Sequence, residues 1–375
     1  MSAPTRKNMS YVRLGNSGLK VSRLILGMMS YGTPEWQTWV LGEKECTEHV
    51  KFAYVPPSPA PAISEGTMGM ADTKLESTRS IQPMSDLVYS HGQSEVLLGK
   101  AIRELNLPRS EIVIMTKVCN TLGKTYKPML GVPPTELDQL GYANQYGLSR
   151  KHIFDSIKAS LERLQLDYVD VLQCHRFDPN TPISETMEAL HDVVKAEYAR
   201  YIGMSSCWAY QFQAMQNYAI ANHLTPFISM QNNYSLLYRE EEREMMPTLK
   251  MFGVGSIPWS PLARGMLGRP FGEKSKRGEV DRMIKSFNQF ESDKTVVDRV
   301  EEISKKRKVS MAQIAIAWVT SREGELLSCV NAPIIGTTSL ENLKDIIGAI
   351  DVQLTKEEID YLSEPYQPHS IIGHR

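Results

Sequence analysis

Two apolar runs in this chain end abruptly in residues able to handle protons, Glu111-Ile-Val-Ile-Met-Thr-Lys117 and Tyr168-Val-Asp-Val-Leu-Gln-Cys-His175. Between them lies a helical pattern, Lys151 to Gln165, in which Ile153, Ile157, Leu161 and Leu164 recur at three and four and form one apolar face. Strand, helix, strand in this order is a parallel unit, so the lysine and the histidine are delivered to the same end of neighbouring strands. In α/β barrels that end holds the active site.

The alternation continues along the chain. Strand-like runs at Ser22 to Gly27, Tyr201 to Ser205, Phe227 to Gln231, Gly255 to Trp259 and Ala332 to Gly336 bring the strands to seven. Helical patterns occupy Glu43 to Tyr54, Ser94 to Leu105, Ser184 to Ala199, Ala209 to His223, Glu240 to Met251, Thr295 to Arg307, Met311 to Ser321 and Ser339 to Ile350. Leu14-Gly-Asn-Ser-Gly18 reads as a hairpin turn ahead of the first strand. One such series over 375 residues predicts a single α/β domain, 1–375, built as a (β/α)8 TIM barrel.

The second strand has no visible run. Between Tyr54 and Tyr89 the chain holds Pro56, Pro57, Pro59 and Pro61, which remove backbone donors and forbid a central strand. Residues 55–85 are therefore expected to be an atypical Pro/Ser/Gly-rich insertion or replaced segment in loop form, with the second strand disrupted.

A net charge of -1 offers no electrostatic footprint for nucleic acid or an acidic membrane, so a small-molecule partner is expected. The five cysteines are scattered, odd in number and without a C-x-x-C pair, which speaks against a disulfide framework and a zinc site. No apolar run approaches the roughly 18 residues of a membrane span, and the first residues lead into no apolar signal segment. A cytoplasmic protein is expected.

Six ordered motifs carry a family likeness: Tyr11-Val-Arg-Leu-Gly-Asn-Ser-Gly-Leu-Lys-Val-Ser22, Val88-Tyr-Ser-His-Gly-Gln-Ser-Glu-Val-Leu-Leu-Gly99, Met115-Thr-Lys117, Gly203-Met-Ser-Ser206, Trp259-Ser-Pro-Leu-Ala-Arg-Gly265 and Ile334-Ile-Gly-Thr-Thr338. Together they resemble the aldo-keto reductases, above all the fungal branch with aryl-alcohol-dehydrogenase-type members. The resemblance covers nearly everything except residues 55–85. It implies NADPH-dependent reduction of an aldehyde or ketone, or the reverse oxidation of an alcohol, on an eight-stranded barrel.

That chemistry needs a proton donor for the growing oxyanion. A tyrosine, with an ordinary pKa of about 10, donates poorly unless a nearby cation stabilises its phenolate. Tyr89 beside Lys117 meets the need, and His175 is placed to donate a hydrogen bond to the carbonyl. The family also carries an aspartate five residues before the tyrosine, where this chain has Met84. Asp86 is the preferred substitute, displaced by about 6.6 Å along an extended chain. Met84 and the missing strand keep a second function class open, a cofactor-binding but catalytically weak protein on the same scaffold.

The resemblance also implies a cofactor bed. Ser205, Ser206 and Gln231 would hydrogen-bond the nicotinamide carboxamide, and Trp259 offers a flat face for the ring. Ser260, Leu262, Arg264 and Gly265 match the turn that grips the pyrophosphate. Gly336, Thr337 and Ser339 open a helix whose N-terminus would take the adenosine 2′-phosphate of NADPH or NADP+, with Lys344 or Arg264 supplying charge. Phe271-Gly-Glu-Lys-Ser-Lys-Arg277 is a candidate basic flap. Tyr126, Tyr142, Tyr146, Trp36, Trp208 and the segment Tyr366 to Arg375 are candidates for the wall or rim of an apolar substrate pocket.

Overall fold

The computed structural model describes residues 9–54, 81–85, 89–124, 132–273, 278, 284, 287, 290–323 and 329–374. A hairpin of β1 (Tyr11–Arg13) and β2 (Lys20–Ser22) precedes the main sheet. The sheet strands are β3 (Ile25–Gly27), β4 (Gln82–Met84), β5 (Met115–Val118), β6 (Val169–Cys174), β7 (Ala199–Ser205), β8 (Phe227–Gln231), β9 (Gly255–Ser256) and β10 (Ile334–Ile335). All eight are parallel, in the order β10-β3-β4-β5-β6-β7-β8-β9. The ring closes between β9 and the chain leading into β10. There Ser256 bridges Val330, Asn331 N–H donates to Ser256 O at 2.8 Å, and Ile334 N–H donates to Pro258 O at 2.8 Å. This is the expected (β/α)8 architecture.

The second strand is a correction to the sequence reading. β4 lies within the stretch expected to be loop, and it contains a proline. The physical reason is the direction of its donors, which alternate along a strand. Gln82 N–H turns toward the β3 side and donates to Ser22 Oγ at 3.0 Å, whereas Ser85 N–H turns toward β5 and donates to Met115 O at 2.9 Å. Pro83 shares the parity of Ser85, so its absent N–H falls on the β5 side, where the register consists of the single pair Met84 and Met115. The proline cluster lies outside the described residues.

Around the ring the helices follow their sequence signals closely. Arg150–Leu164 starts at Ser149, whose hydroxyl accepts from His152 N–H at 3.3 Å, and ends at Gln165 in the left-handed region with φ 57°. Its predicted apolar face is buried. Other boundaries shift by a few residues. The run from Glu111 begins as a strand only at Met115, because Arg109–Glu111 makes a short 3₁₀ turn. The helix expected over Glu240 to Met251 divides into a 3₁₀ turn, Glu240–Glu242, and a helix, Met245–Phe252. No helix among the described residues is long and apolar enough to cross a membrane.

The β1–β2 hairpin caps the N-terminal end of the barrel. Leu14 and Val21 pack with Ile25, Met115, Val171 and Ile257. Asn16 N–H donates to Gly253 O at 2.7 Å, which ties the hairpin to the entry of β9. Gly15 has φ +57°, and a Cβ there would stand 2.4 Å from Gly253 O and 2.6 Å from Gly255 N. Because those neighbours are backbone, Gly15→Ala is expected to destabilise the fold by about 2–4 kcal/mol. Urea denaturation of the variant checks this, and a loss below about 1 kcal/mol would show that the hairpin can lift from the barrel floor.

Candidate active site

With the N-terminal end closed, the opposite end of the barrel is where strand-end side chains meet solvent. Lys117, near the end of β5, is buried, with 1% of its surface exposed. Its ammonium donates to the Tyr89 hydroxyl at 3.3 Å and lies 4.9 Å from the centre of the Tyr89 ring. Tyr89 reaches this position from the turn Tyr89–Gly92, in which Ser90 (φ 49°), His91 (φ 52°) and Gly92 (φ 80°) are all left-handed. Non-glycine residues in that region are strained, so surrounding contacts must hold the turn. Ser90 Oγ accepts from Thr33 N–H at 3.3 Å, and a Cβ on Gly92 would meet Arg163 Cδ at 2.7 Å.

Beneath the turn lies a buried ion pair. Glu95, on the helix Gln93–Glu104 that follows the turn, has no exposed surface. It accepts from Arg163 Nε at 2.7 Å and from Thr116 Oγ1 at 2.5 Å. Thr116 immediately precedes Lys117, so one carboxylate links the helix after Tyr89 to the strand that carries the lysine.

His175 lies one residue beyond β6, and its backbone N–H donates to Val118 O at 2.7 Å. Its Nδ1 is 3.1 Å from Asn120 Nδ2. An amide nitrogen only donates, so with the amide in this orientation a neutral imidazole accepts at Nδ1 and carries its proton on Nε2. The ring is thus prepared to donate a hydrogen bond from Nε2.

Tyr89 and His175 border one cavity of about 650 Å³. Trp36, Met29 and Leu122 line it together with the polar Gln37 and Arg176. Ser205, Gln231 and Trp259 line it too. Ser260, Leu262, Arg264 and Gly265 continue the wall, and Gly336 and Thr337 lie on it as well. Most of the expected constellation is therefore brought together.

Some expected residues stand elsewhere. Ser206 does not border the cavity: its N–H donates to Asn232 Oδ1 at 3.1 Å, and its Oγ accepts from the Trp259 indole at 3.1 Å. Ser339 is the cap of the helix Leu340–Ile347, its hydroxyl 3.4 Å from Asn342 N. Lys344 turns away, its ammonium over the Phe52 ring at 5.6 Å. Tyr142 and Tyr146 hold their own loop through Lys124 N and Asp138. Trp208 packs edge-on against His374. The C-terminal segment packs against Trp259 and Tyr238, and none of its described residues lines the cavity. Asp86, Tyr126, Arg375 and residues 274–277 of the candidate flap lie outside the described residues.

Other lining residues were not anticipated. Met84 faces the cavity, and its sulfur lies 2.8 Å from Gln231 Nε2, which also donates to Gln173 Oε1 at 3.0 Å. Asn342 and Asp345 line the wall beside Gly336. Their spacing of three along a helix was the signal that could have found them. Arg269 also lines the cavity, and nothing in its local pattern marks it.

Comparison with known proteins adds the lineage. The family model described as the aldo/keto reductase family matches residues 86–367. The versiconal hemiacetal acetate reductase of Aspergillus parasiticus is 45% identical over an alignment of 372 residues that covers 97% of this chain and 98% of that protein. An aldo-keto reductase of Alternaria alternata is 42% identical over 372 residues, covering 97% of this chain and 93% of its own. Another, from Fusarium vanettenii, is 41% identical over 385 residues, covering 99% and 94%. With a matching model over most of its length and relatives spanning nearly all of it, the chain belongs to the aldo/keto reductase family.

Proposed function

We propose that this protein is an NADPH-dependent oxidoreductase that interconverts a small aldehyde or ketone and its alcohol. The observation that carries the reading is the Lys117 ammonium 3.3 Å from the Tyr89 hydroxyl, beside a cavity that His175 also borders. When bound, a reduced nicotinamide supplies hydride. Tyr89 gives the proton to the carbonyl oxygen, and Lys117 stabilises the phenolate left behind. His175 Nε2–H orients and polarises the carbonyl.

The cavity residues fit a dinucleotide. Trp259 offers a flat face, and Gln231 and Ser205 offer amide and hydroxyl groups for a carboxamide. Arg264 and Arg269 supply positive charge for phosphates, although Asp345 lies on the same wall. The apolar surfaces of Trp36, Met29 and Leu122 suit a substrate with an aromatic or other apolar body. The versiconal hemiacetal acetate reductase among the relatives supports a role in fungal secondary metabolism.

The test is oxidation of NADPH, with NADH in parallel, by the purified chain supplied with 4-nitrobenzaldehyde. Turnover faster with NADPH is the expected result. Tight NADPH binding without turnover, across a panel of aromatic and aliphatic carbonyls, would favour the catalytically weak alternative. Absence of both would reject the nicotinamide reading.

A further inference from the structure

Three consecutive glutamates, Glu240, Glu241 and Glu242, form the 3₁₀ turn that follows β8 by way of the loop from Asn232. The outer two are held by cations and tyrosines. Glu240 pairs with Arg243 at 2.7 Å and accepts from the Tyr366 hydroxyl at 2.5 Å. Glu242 pairs with Arg239 at 2.8 Å and accepts from the Tyr234 hydroxyl at 2.5 Å. Glu241 turns the other way, toward the barrel, and keeps only 2% of its surface exposed.

There its Oε2 accepts from Asn232 Nδ2, and that one asparagine holds both Trp259, in the bed assigned to the nicotinamide, and Ser206, which lies behind it and next to Ser205. Asn232 Oδ1 receives the Ser206 N–H at 3.1 Å, and Asn232 O receives the Trp259 N–H at 2.8 Å. Ser206 is left-handed, with φ 41°, a conformation a serine keeps only when its surroundings impose it. Its hydroxyl in turn fixes the Trp259 indole at 3.1 Å. On the far side of Glu241, His374 Nε2 stands 3.0 Å from Oε1, a close approach without hydrogen-bond geometry, and Gly373 lies so close to the bed that a Cβ would be 3.3 Å from Trp259 Cζ2.

We propose that Glu241 is a positioning residue for the cofactor: through Asn232 it fixes the Ser206 backbone, and through both it holds Trp259 in the pose that receives the nicotinamide, with the His374 ring set against its carboxylate from the tail. The cofactor half of this rests on the function proposed above. Loss of the carboxylate strands a buried amide donor, frees Asn232 to rotate, and releases the Ser206 backbone and the indole together. The carbonyl end, with Tyr89 and His175, does not depend on this chain of contacts.

The experiment measures hydrogen exchange of the Trp259 indole N–H by NMR without cofactor, assigned among the five tryptophans by Trp259→Phe, together with NADPH and aldehyde KM values. Glu241→Ala is expected to speed indole exchange and raise the NADPH KM by about tenfold each, with the aldehyde KM unchanged. Glu241→Gln keeps an acceptor for Asn232 and is expected to recover most of both. His374→Ala, a second variant in case Glu241→Ala fails to fold, is expected to raise the NADPH KM by about threefold. Unchanged exchange in folded Glu241→Ala, a Gln variant no better than Ala, or parallel rises in both KM values would overturn the proposal. The indole effects in the Glu241 variants, with no NADPH binding by the wild-type chain, would instead overturn the nicotinamide reading and leave Glu241 as the residue that positions Trp259.

Discussion

Replacing Tyr89 by phenylalanine is expected to lower kcat for 4-nitrobenzaldehyde reduction by about 10³-fold while leaving NADPH affinity within about twofold of the parent. The substitution removes one oxygen and keeps the ring. Lys117 is packed over that ring, 4.9 Å from its centre, as well as bonded to the hydroxyl, so the buried ammonium retains its aromatic contact in the variant. The left-handed turn of Ser90, His91 and Gly92 is held by Thr33 N–H and by the packing of Arg163, neither of which touches the hydroxyl. A loss of turnover would therefore report the proton and not the fold. His175 would still polarise the carbonyl, which accounts for residual activity. A variant retaining more than about one tenth of the parent kcat would mean that His175 or water supplies the proton, and the assignment to Tyr89 would fall.

The barrel and the lysine, tyrosine and histidine were legible because each is announced by an abrupt change of character at the end of an apolar run or motif. Strand periodicity and strand termination are local properties, and they survive into the fold. β4 was hidden for the opposite reason: Gln82-Pro83-Met84 has no apolar alternation, and its place in the sheet is set by the neighbours on either side. Glu241 was hidden within Glu240-Glu241-Glu242, which reads as a solvated charge run. Only the fold decides that the middle residue faces Asn232 while its neighbours face arginines. Lys344 shows how fine the limit is. Asn342, Asp345 and Ile346 on the same helix line the cavity, and a step of about 100° around the axis places the lysine over Phe52 instead.

Arg163→Ala is expected to destabilise the protein by about 3–5 kcal/mol, a larger loss than that expected of Gly15→Ala. Glu95 is fully enclosed, and Arg163 supplies the cation that makes its burial tolerable, at 2.7 Å. Without it, Thr116 Oγ1 remains as a donor, but one hydroxyl does not replace a charge. The arginine also fills the space against Gly92, so the turn that presents Tyr89 loses its floor. Stability and turnover should therefore fall together, with kcat reduced even in the fraction that remains folded. Adding Glu95→Gln to Arg163→Ala removes the stranded charge and is expected to restore about 2 kcal/mol of the loss. It leaves the gap beneath Gly92 unfilled, so turnover should recover less than stability does. Urea denaturation of the single and double variants, with kcat measured on each, separates the two contributions. A double variant no more stable than Arg163→Ala would show that packing against the turn, and not the charge on Glu95, is what the arginine provides.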